Sequence, residues 1–318
     1  MNEPLVVVST RSFGSGDTDP QGVLEAAGCR VERIDPSHDL SVVGHALRSA
    51  SGWIAGTSPI TQAHLDAAPD LRIVARYGVG TDAVDLRAAA TRGVLVTNTP
   101  GANAEAVADH TIGLILAVLR HIVAGDRAVR ANDWSKRPGR ELGACRIGIV
   151  GYGTIGRAVR RRLACFGGEV VAHDPHLAQA DIPLLPLEEL VARCEIVTLH
   201  LPGARGRPLI DADLLALFRP DAVLVNTARG DLLDEAAVAQ ALTAGRLGAC
   251  AVDVLTAELG RGPSPLLDAP RVVVTPHIAG QTVQAIDRMG TATATDIVRV
   301  LVEDLPPHHL VNAQEAPQ

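Results

Sequence analysis

Ile147-Gly148-Ile149-Val150-Gly151-Tyr152-Gly153-Thr154-Ile155-Gly156 is the stretch whose reading decides the fold of this chain. An apolar run enters a glycine turn. Arg157-Ala158-Val159 then opens a helix, and a second apolar run, Val170-Val171-Ala172, closes on His173-Asp174. This is the strand–turn–helix–strand pattern of a dinucleotide-binding unit, with an acid 18 residues past Gly156. Gly151 lets the chain turn, Gly153 lets backbone approach a pyrophosphate, and Gly156 lets the helix pack close on the strand. The free N–H groups and positive end of that helix face the phosphates.

On both sides of this unit, short apolar runs alternate with helical patterns. Strands are expected at residues 5–8, 30–34, 53–55, 71–75 and 94–97, and again at 195–202, 222–228, 249–254 and 272–276. Helices are expected at 40–49, 61–67, 103–123, 211–218, 234–242 and 282–302. Such alternation predicts an α/β chain with parallel sheets covered on both faces. The longest helical pattern, 103–123, puts Val107, Thr111, Leu114, Ile115, Val118 and Ile122 on one stripe. His110 and His121 lie off that stripe and read as surface or packed residues. The last helix has no strand partner in its own half and is expected to cross back to the first domain.

A chain of 318 residues can form two domains, and its 47% hydrophobic and 20% charged composition is that of a globular protein. A net charge of −7 gives no footprint for nucleic acid or anionic membrane. No long apolar run or signal pattern is present. Five separated cysteines (Cys29, Cys145, Cys165, Cys194 and Cys250) read as reduced residues of a cytoplasmic protein rather than disulfides or a metal site.

Ligands of open α/β sheets sit beyond the carboxyl ends of strands, where Asp174, His200, Arg229, Asp253 and His277 collect. Hydride transfer to a 2-oxo acid needs a cation for the carboxylate, an acid for the new alkoxide, and a group that tunes the acid. Arg229 suits the first task, though a loop arginine also makes surface salt bridges. His277 suits the second, or is a packed histidine. Glu258 can pair with His277 and raise its pKa, or stand as an exposed loop carboxylate. Gly78-Val79-Gly80 follows a strand and reads either as a carboxylate cradle or as a turn capped by Asp82 or Asp85.

Taken together, the glycine turn, Asn226-Thr227-Ala228-Arg229-Gly230, Asp253-Val254 with Glu258, and Thr275-Pro276-His277 resemble the D-2-hydroxyacid dehydrogenase family. Asn98-Thr99-Pro100-Gly101-Ala102-Asn103 and Gly78-Val79-Gly80 extend the likeness over nearly the whole chain, nearest to the phosphoglycerate dehydrogenase-like branch. The resemblance implies two Rossmann-like doubly wound domains with the active site in the cleft between them. Residues 1–98 and 284–318 would bind substrate, and residues 99–283 would bind NAD. It implies Arg229, Glu258 and His277 as the catalytic set, with Val79, Gly80 and Arg229 on the substrate carboxylate. Gly151, Gly153, Thr154, Ile155, Gly156, Asp174, Pro202, Thr227 and Asp253 would bind the cofactor. Asp174 would take the adenosine ribose and favour NAD over NADP, and Asp253 the nicotinamide amide. A homodimer built on the nucleotide domains is implied, and no metal.

Departures from the family pattern narrow the substrate reading. The loop Gly56-Thr57-Ser58-Pro59-Ile60 lacks the arginine that phosphoglycerate-acting members often carry there. Leu259 stands where a proline usually follows the catalytic glutamate. Arg205 and Arg207 lie in a loop after Pro202 that binds an anionic substrate or is simply exposed. The sequence stops soon after the last helix, leaving no room for a regulatory domain. Glyoxylate/hydroxypyruvate reduction and a non-enzymatic NAD-sensing corepressor are the alternatives.

Overall fold

A computed structural model describes residues 3–203, 206–256 and 262–313. The chain divides into two compact units, Met1–Asn103 with Gly280–Gln318, and Ala104–Ala279. Where the sequence reading separates the domains after residues 98 and 283, the units part after residues 103 and 279.

The first unit alternates β1 (Leu5–Ser9), α1 (Pro20–Ala26), β2 (Arg30–Arg33), α2 (Leu40–Leu47), β3 (Ala50–Ala55), α3 (Gln62–Asp66), β4 (Ile73–Arg76), α4 (Leu86–Thr91) and β5 (Leu95–Thr97). Its parallel sheet runs β2-β1-β3-β4-β5. Aspartates cap three of its helices: Asp19 accepts from Gly22 N, Asp39 from Ser41 N and Asp85 from Ala88 N. The expected last helix, α11 (Val283–Leu301), belongs to this unit. It packs on β3 at Gly52, where a Cβ would stand 2.9 Å from Ile297 Cδ1.

A buried polar cluster ties this sheet to its covering loops. Trp53 Nε1 donates to Ser9 Oγ at 2.8 Å, and Ser9 Oγ lies 2.6 Å from His38 Nε2. His38 Nδ1 sits 3.1 Å from the Pro59 carbonyl, which only accepts, so Nδ1 carries the proton and Nε2 accepts from Ser9. Burial pushes the imidazole down to about 4.

The second unit begins with α5 (Ala104–Leu119) and α6 (Ile122–Arg130). The single helix expected over 103–123 is broken: His121 takes a left-handed φ of 55°, and the two pieces meet at a 57° bend. Apolar periodicity runs on through Ile122, but that side chain is exposed, and α6 buries none of its residues. Next come β6 (Ile147–Val150), α7 (Thr154–Leu163), β7 (Val170–His173), α8 (Leu187–Arg193), β8 (Ile196–Leu199), α9 (Ala212–Leu215), β9 (Val223–Asn226), α10 (Glu235–Thr243), β10 (Ala249–Val252) and β11 (Val272–Val274). Of these, α8 is not anticipated from the sequence. The six-stranded sheet runs β11-β10-β9-β8-β6-β7, all parallel. Its strand order reverses between β6 and β8, the switch point at which open α/β sheets bind ligands. Two apolar clusters cover its faces, one built around Leu190, Leu224 and Leu242, the other around Ile115, Ile147 and Val159. No single helix among the described residues is long and apolar enough to cross a membrane.

Candidate active site

The glycine turn sits at the switch point. Gly151 has φ +91°, and a Cβ there would stand 2.4 Å from the His200 carbonyl oxygen at the end of β8. A Cβ on Gly156 would stand 2.2 Å from the Gly151 carbonyl, so helix and turn touch through backbone. Gly153 differs: a Cβ there would meet nothing within 4 Å. Open space therefore lies above the turn, and no side chain caps the first N–H groups of α7. A pyrophosphate fits this arrangement, with the N–H groups of the helix start as its donors.

Asp174 follows β7 and is fixed over the turn, accepting from Tyr152 N at 2.9 Å and His176 N at 3.0 Å. The two residues line a cavity of about 490 Å³ together with Gly153, Thr154 and Arg157. Tyr152 is 1% exposed, and its phenol donates to Asp181 at 2.7 Å. Burial and that bond push the phenol up to about 12. The Tyr152 hydrogen bond, with Arg160 and Arg157 nearby, holds the Asp181 carboxyl below its usual range.

Three further strand ends carry the other expected residues. β9, β10 and β11 are neighbours, and they lead into Arg229, Asp253 and His277 respectively. From β11 to β6 is four strand steps, roughly 20 Å along the carboxyl edge of one sheet. Asn226 shapes the Arg229 turn by accepting from Ala228 N at 3.0 Å and donating to the Arg229 carbonyl at 2.7 Å. Arg229 itself donates to the Ala228 carbonyl at 2.7 Å. Thr227 is buried against α5, its hydroxyl 3.0 Å from that of Thr111. Pro202 follows β8, where it faces solvent.

Asp253 is fully buried. It accepts from Thr275 Oγ1 at 2.5 Å, Ile278 N at 2.9 Å and Ala279 N at 2.8 Å, while its own carbonyl accepts from His277 N at 2.8 Å. Burial works to raise its pKa, but the hydrogen bonds from His110, Thr275, Ile278 and Ala279 outweigh it and leave the carboxyl below its usual range. These bonds give Asp253 a task beyond the one the resemblance implies: it holds the loop that presents His277. His277 takes a left-handed φ of 53°, which costs a non-glycine residue about 1 kcal/mol. Its side chain is half-buried.

Glu258 and Arg205 lie outside the described residues. Arg207 is exposed and ion-paired with Asp211, at the rim of an apolar cavity of about 540 Å³ lined by Leu201, Leu209 and Leu217. In the first unit, the Gly78-Val79-Gly80 loop is tied down by its carbonyls: Thr99 N donates to Gly78 O, Asn98 Nδ2 to Val79 O and Arg76 Nε to Gly80 O. Among the described residues no backbone carbonyl takes the N–H of Val79 or Gly80. Asp85 caps α4, as the capped-turn reading expects.

Sequence reasoning misses one participant. His110, on α5, places Nε2 3.0 Å from Thr275 Oγ1 and 3.4 Å from Asp253 Oδ1.

The family model described as "D-isomer specific 2-hydroxyacid dehydrogenase, NAD binding domain" matches residues 112–279. The chain is 43% identical over 251 residues to D-3-phosphoglycerate dehydrogenase of Mycobacterium tuberculosis, covering 76% of this chain and 47% of that protein. It thus spans about half the length of that relative. It is 36% identical to glyoxylate reductase of Thermofilum pendens, covering 81% of this chain and 80% of that protein. Among solved structures, the NADPH-dependent glyoxylate/hydroxypyruvate reductase of Sinorhizobium meliloti, in complex with NADP and malonate, superposes with a TM-score of 0.83. That match has 30% identity and covers 99% of this chain and 98% of that one.

Proposed function

The chain belongs to the D-isomer specific 2-hydroxyacid dehydrogenase family, and from that premise we propose that it transfers hydride between NAD(H) and a D-2-hydroxy acid or its 2-oxo acid. The observation that carries the reading is the row of strand ends in one sheet: His277, Asp253 and Arg229 on β11, β10 and β9, with the glycine turn on β6. NAD supplies or takes the hydride when bound. Gly151, Gly153, Thr154, Ile155 and Gly156 hold its pyrophosphate, and Asp174 its adenosine ribose. Pro202, Thr227 and Asp253 stand on the nicotinamide side.

Arg229 grips the substrate carboxylate through its planar fork, and the backbone N–H groups of Val79 and Gly80 are assigned to substrate binding. In reduction His277 gives a proton to the carbonyl oxygen; in oxidation it removes the proton from the hydroxyl. Glu258 is assigned as the carboxylate partner of the His277 imidazole.

Asp174 supports NAD over NADP, because a 2′-phosphate would meet its carboxylate. Arg157 and Arg161 line the same cavity but are engaged by Asp181 and Glu105. The mycobacterial likeness favours a phosphorylated 3-carbon acid as substrate. A small unphosphorylated acid such as glyoxylate or hydroxypyruvate is the second reading, supported by the loop at residues 56–60, which carries no cation. The exposed apolar side chains Ile122, Val129 and Trp134 on and after α6 support a homodimer joined through the second unit. The buried free cysteines support a reducing, cytoplasmic setting.

The test is NADH oxidation with a panel of 2-oxo acids by the wild type and His277→Ala. The substitution lowers kcat by about 10²–10⁴-fold with NADH binding retained. Near-normal turnover in His277→Ala refutes the assignment. Tight NADH binding without turnover of any acid favours the sensor alternative.

A further inference from the structure

α5 packs along β9, β10 and β11, and it carries His110 to the enclosed carboxylate that holds the His277 loop. Thr275 has one hydroxyl hydrogen, and at 2.5 Å from Asp253 Oδ1 that hydrogen goes to the carboxylate, which only accepts. The contact between His110 Nε2 and Thr275 Oγ1 therefore needs its hydrogen from the imidazole. Nε2 carries it and points at Thr275 and Asp253 together. The result is a directed chain: His110 N–H to Thr275 O–H to the Asp253 carboxylate, which in turn accepts the N–H groups of Ile278 and Ala279. His277 lies between Thr275 and Ile278, on the segment this chain grips from both sides.

We propose that His110 is a positioning residue for His277, acting through Thr275 and Asp253 to hold residues 275–279 in the conformation that presents the proton donor. The proposal rests on the enzymatic reading above only in its kinetic part. His110 touches neither the substrate nor the reacting atoms. It supplies a fourth donor to a buried charge whose other three donors all belong to the loop, so losing it loosens the loop and not the glycine turn.

The experiment compares full-length His110→Phe, His110→Gln and Thr275→Val with the wild type. Phenylalanine fills the ring's volume without an N–H, whereas the glutamine amide nitrogen stands as many bonds from Cα as Nε2 and restores the donor. In His110→Phe, kcat for the best 2-oxo acid falls by about tenfold while KM for NADH stays within about twofold, and His110→Gln recovers most of the loss. Independently of turnover, amide hydrogen exchange at Ile278 and Ala279 quickens by about tenfold in His110→Phe and in Thr275→Val, and returns toward wild type in His110→Gln. Unchanged exchange in both His110→Phe and Thr275→Val overturns the proposal. So does a glutamine variant as impaired as the phenylalanine one, which would assign His110 to packing. If the wild type reduces no 2-oxo acid, the enzymatic reading fails, and the exchange measurement alone decides the positioning role.

Discussion

Replacing Asp253 by asparagine keeps the shape of a fully enclosed side chain and changes what it can accept. The carboxylate takes Thr275 O–H and Ile278 N–H at Oδ1 and Ala279 N–H at Oδ2. An amide has a single acceptor oxygen, so its NH₂ must face donors on one side or the other. With the oxygen at the Thr275 side, the buried Ala279 N–H loses its acceptor, at a cost of about 1–3 kcal/mol. Loss of charge from the bonds that remain adds about 1 kcal/mol. The sum, about 2–4 kcal/mol, falls on the loop that holds His277 at a left-handed φ. If about 2–3 kcal/mol of it appears as lost population of the productive loop, kcat drops by about 30- to 160-fold. Steady-state NADH oxidation gives kcat, and quenching of tryptophan fluorescence gives the NADH Kd, which a loop role leaves within about threefold of wild type. A kcat within about threefold of wild type refutes the loop role. A raised Kd with intact kcat at saturation assigns the carboxylate to the nicotinamide amide instead.

Asp174→Ala removes the charge a 2′-phosphate would meet. The wild type prefers NADH to NADPH by kcat/KM, and the variant narrows that preference by about tenfold or more; an unchanged ratio contradicts the assigned role. The neutral, buried His38 sets a stability term on the acid side. Its folded pKa of about 4 lies below the unfolded value of about 6.5, so the unfolded chain binds the extra proton and stability falls as pH drops through that window. At pH 5 the loss is about 2 kcal/mol, and His38→Asn, whose side chain tolerates the positive φ found there, flattens denaturant-derived stability between pH 6.5 and 5 by about that amount. An equally steep profile in the variant refutes it. Trp134→Glu places a charge on a side chain that is 73% exposed, and sedimentation velocity tests the proposed homodimer: the wild type sediments as a dimer and the variant shifts toward monomer, while a dimer equally populated in both contradicts an interface at Trp134.

What the sequence discloses here is what is local. The strand and glycine turn occupy ten consecutive residues, and the acid Asp174 is reached by counting, so both this edge of the sheet and the alternation around it can be read without coordinates. The His277 loop is legible only as a composition. Its geometry depends on Asp253, and on His110, which lies 165 residues from Thr275 and off the apolar stripe of its helix. A stripe reports which face is buried, not which polar side chain at its margin meets a distant carboxylate. The same blindness extends the expected helix to residue 123. Ile122 keeps the period, yet it follows a left-handed residue and faces solvent. α8 is missed because it opens after Pro186 with no capping side chain to mark its start, whereas the shorter α9 is announced by its Asp211 cap.

The central claim is reduction of a 2-oxo acid by NADH with D stereochemistry. Its most direct measurement is incubation of the wild type with NADH and glyoxylate, pyruvate, hydroxypyruvate and 3-phosphohydroxypyruvate, followed by chiral chromatography of the products. The D-isomer specific family to which the chain belongs, with Arg229, Asp253 and His277 on neighbouring strand ends, predicts NADH consumption matched by the D-2-hydroxy acid from at least one chiral-product substrate. Formation of the L-enantiomer, or no hydroxy acid from any of the four, contradicts it.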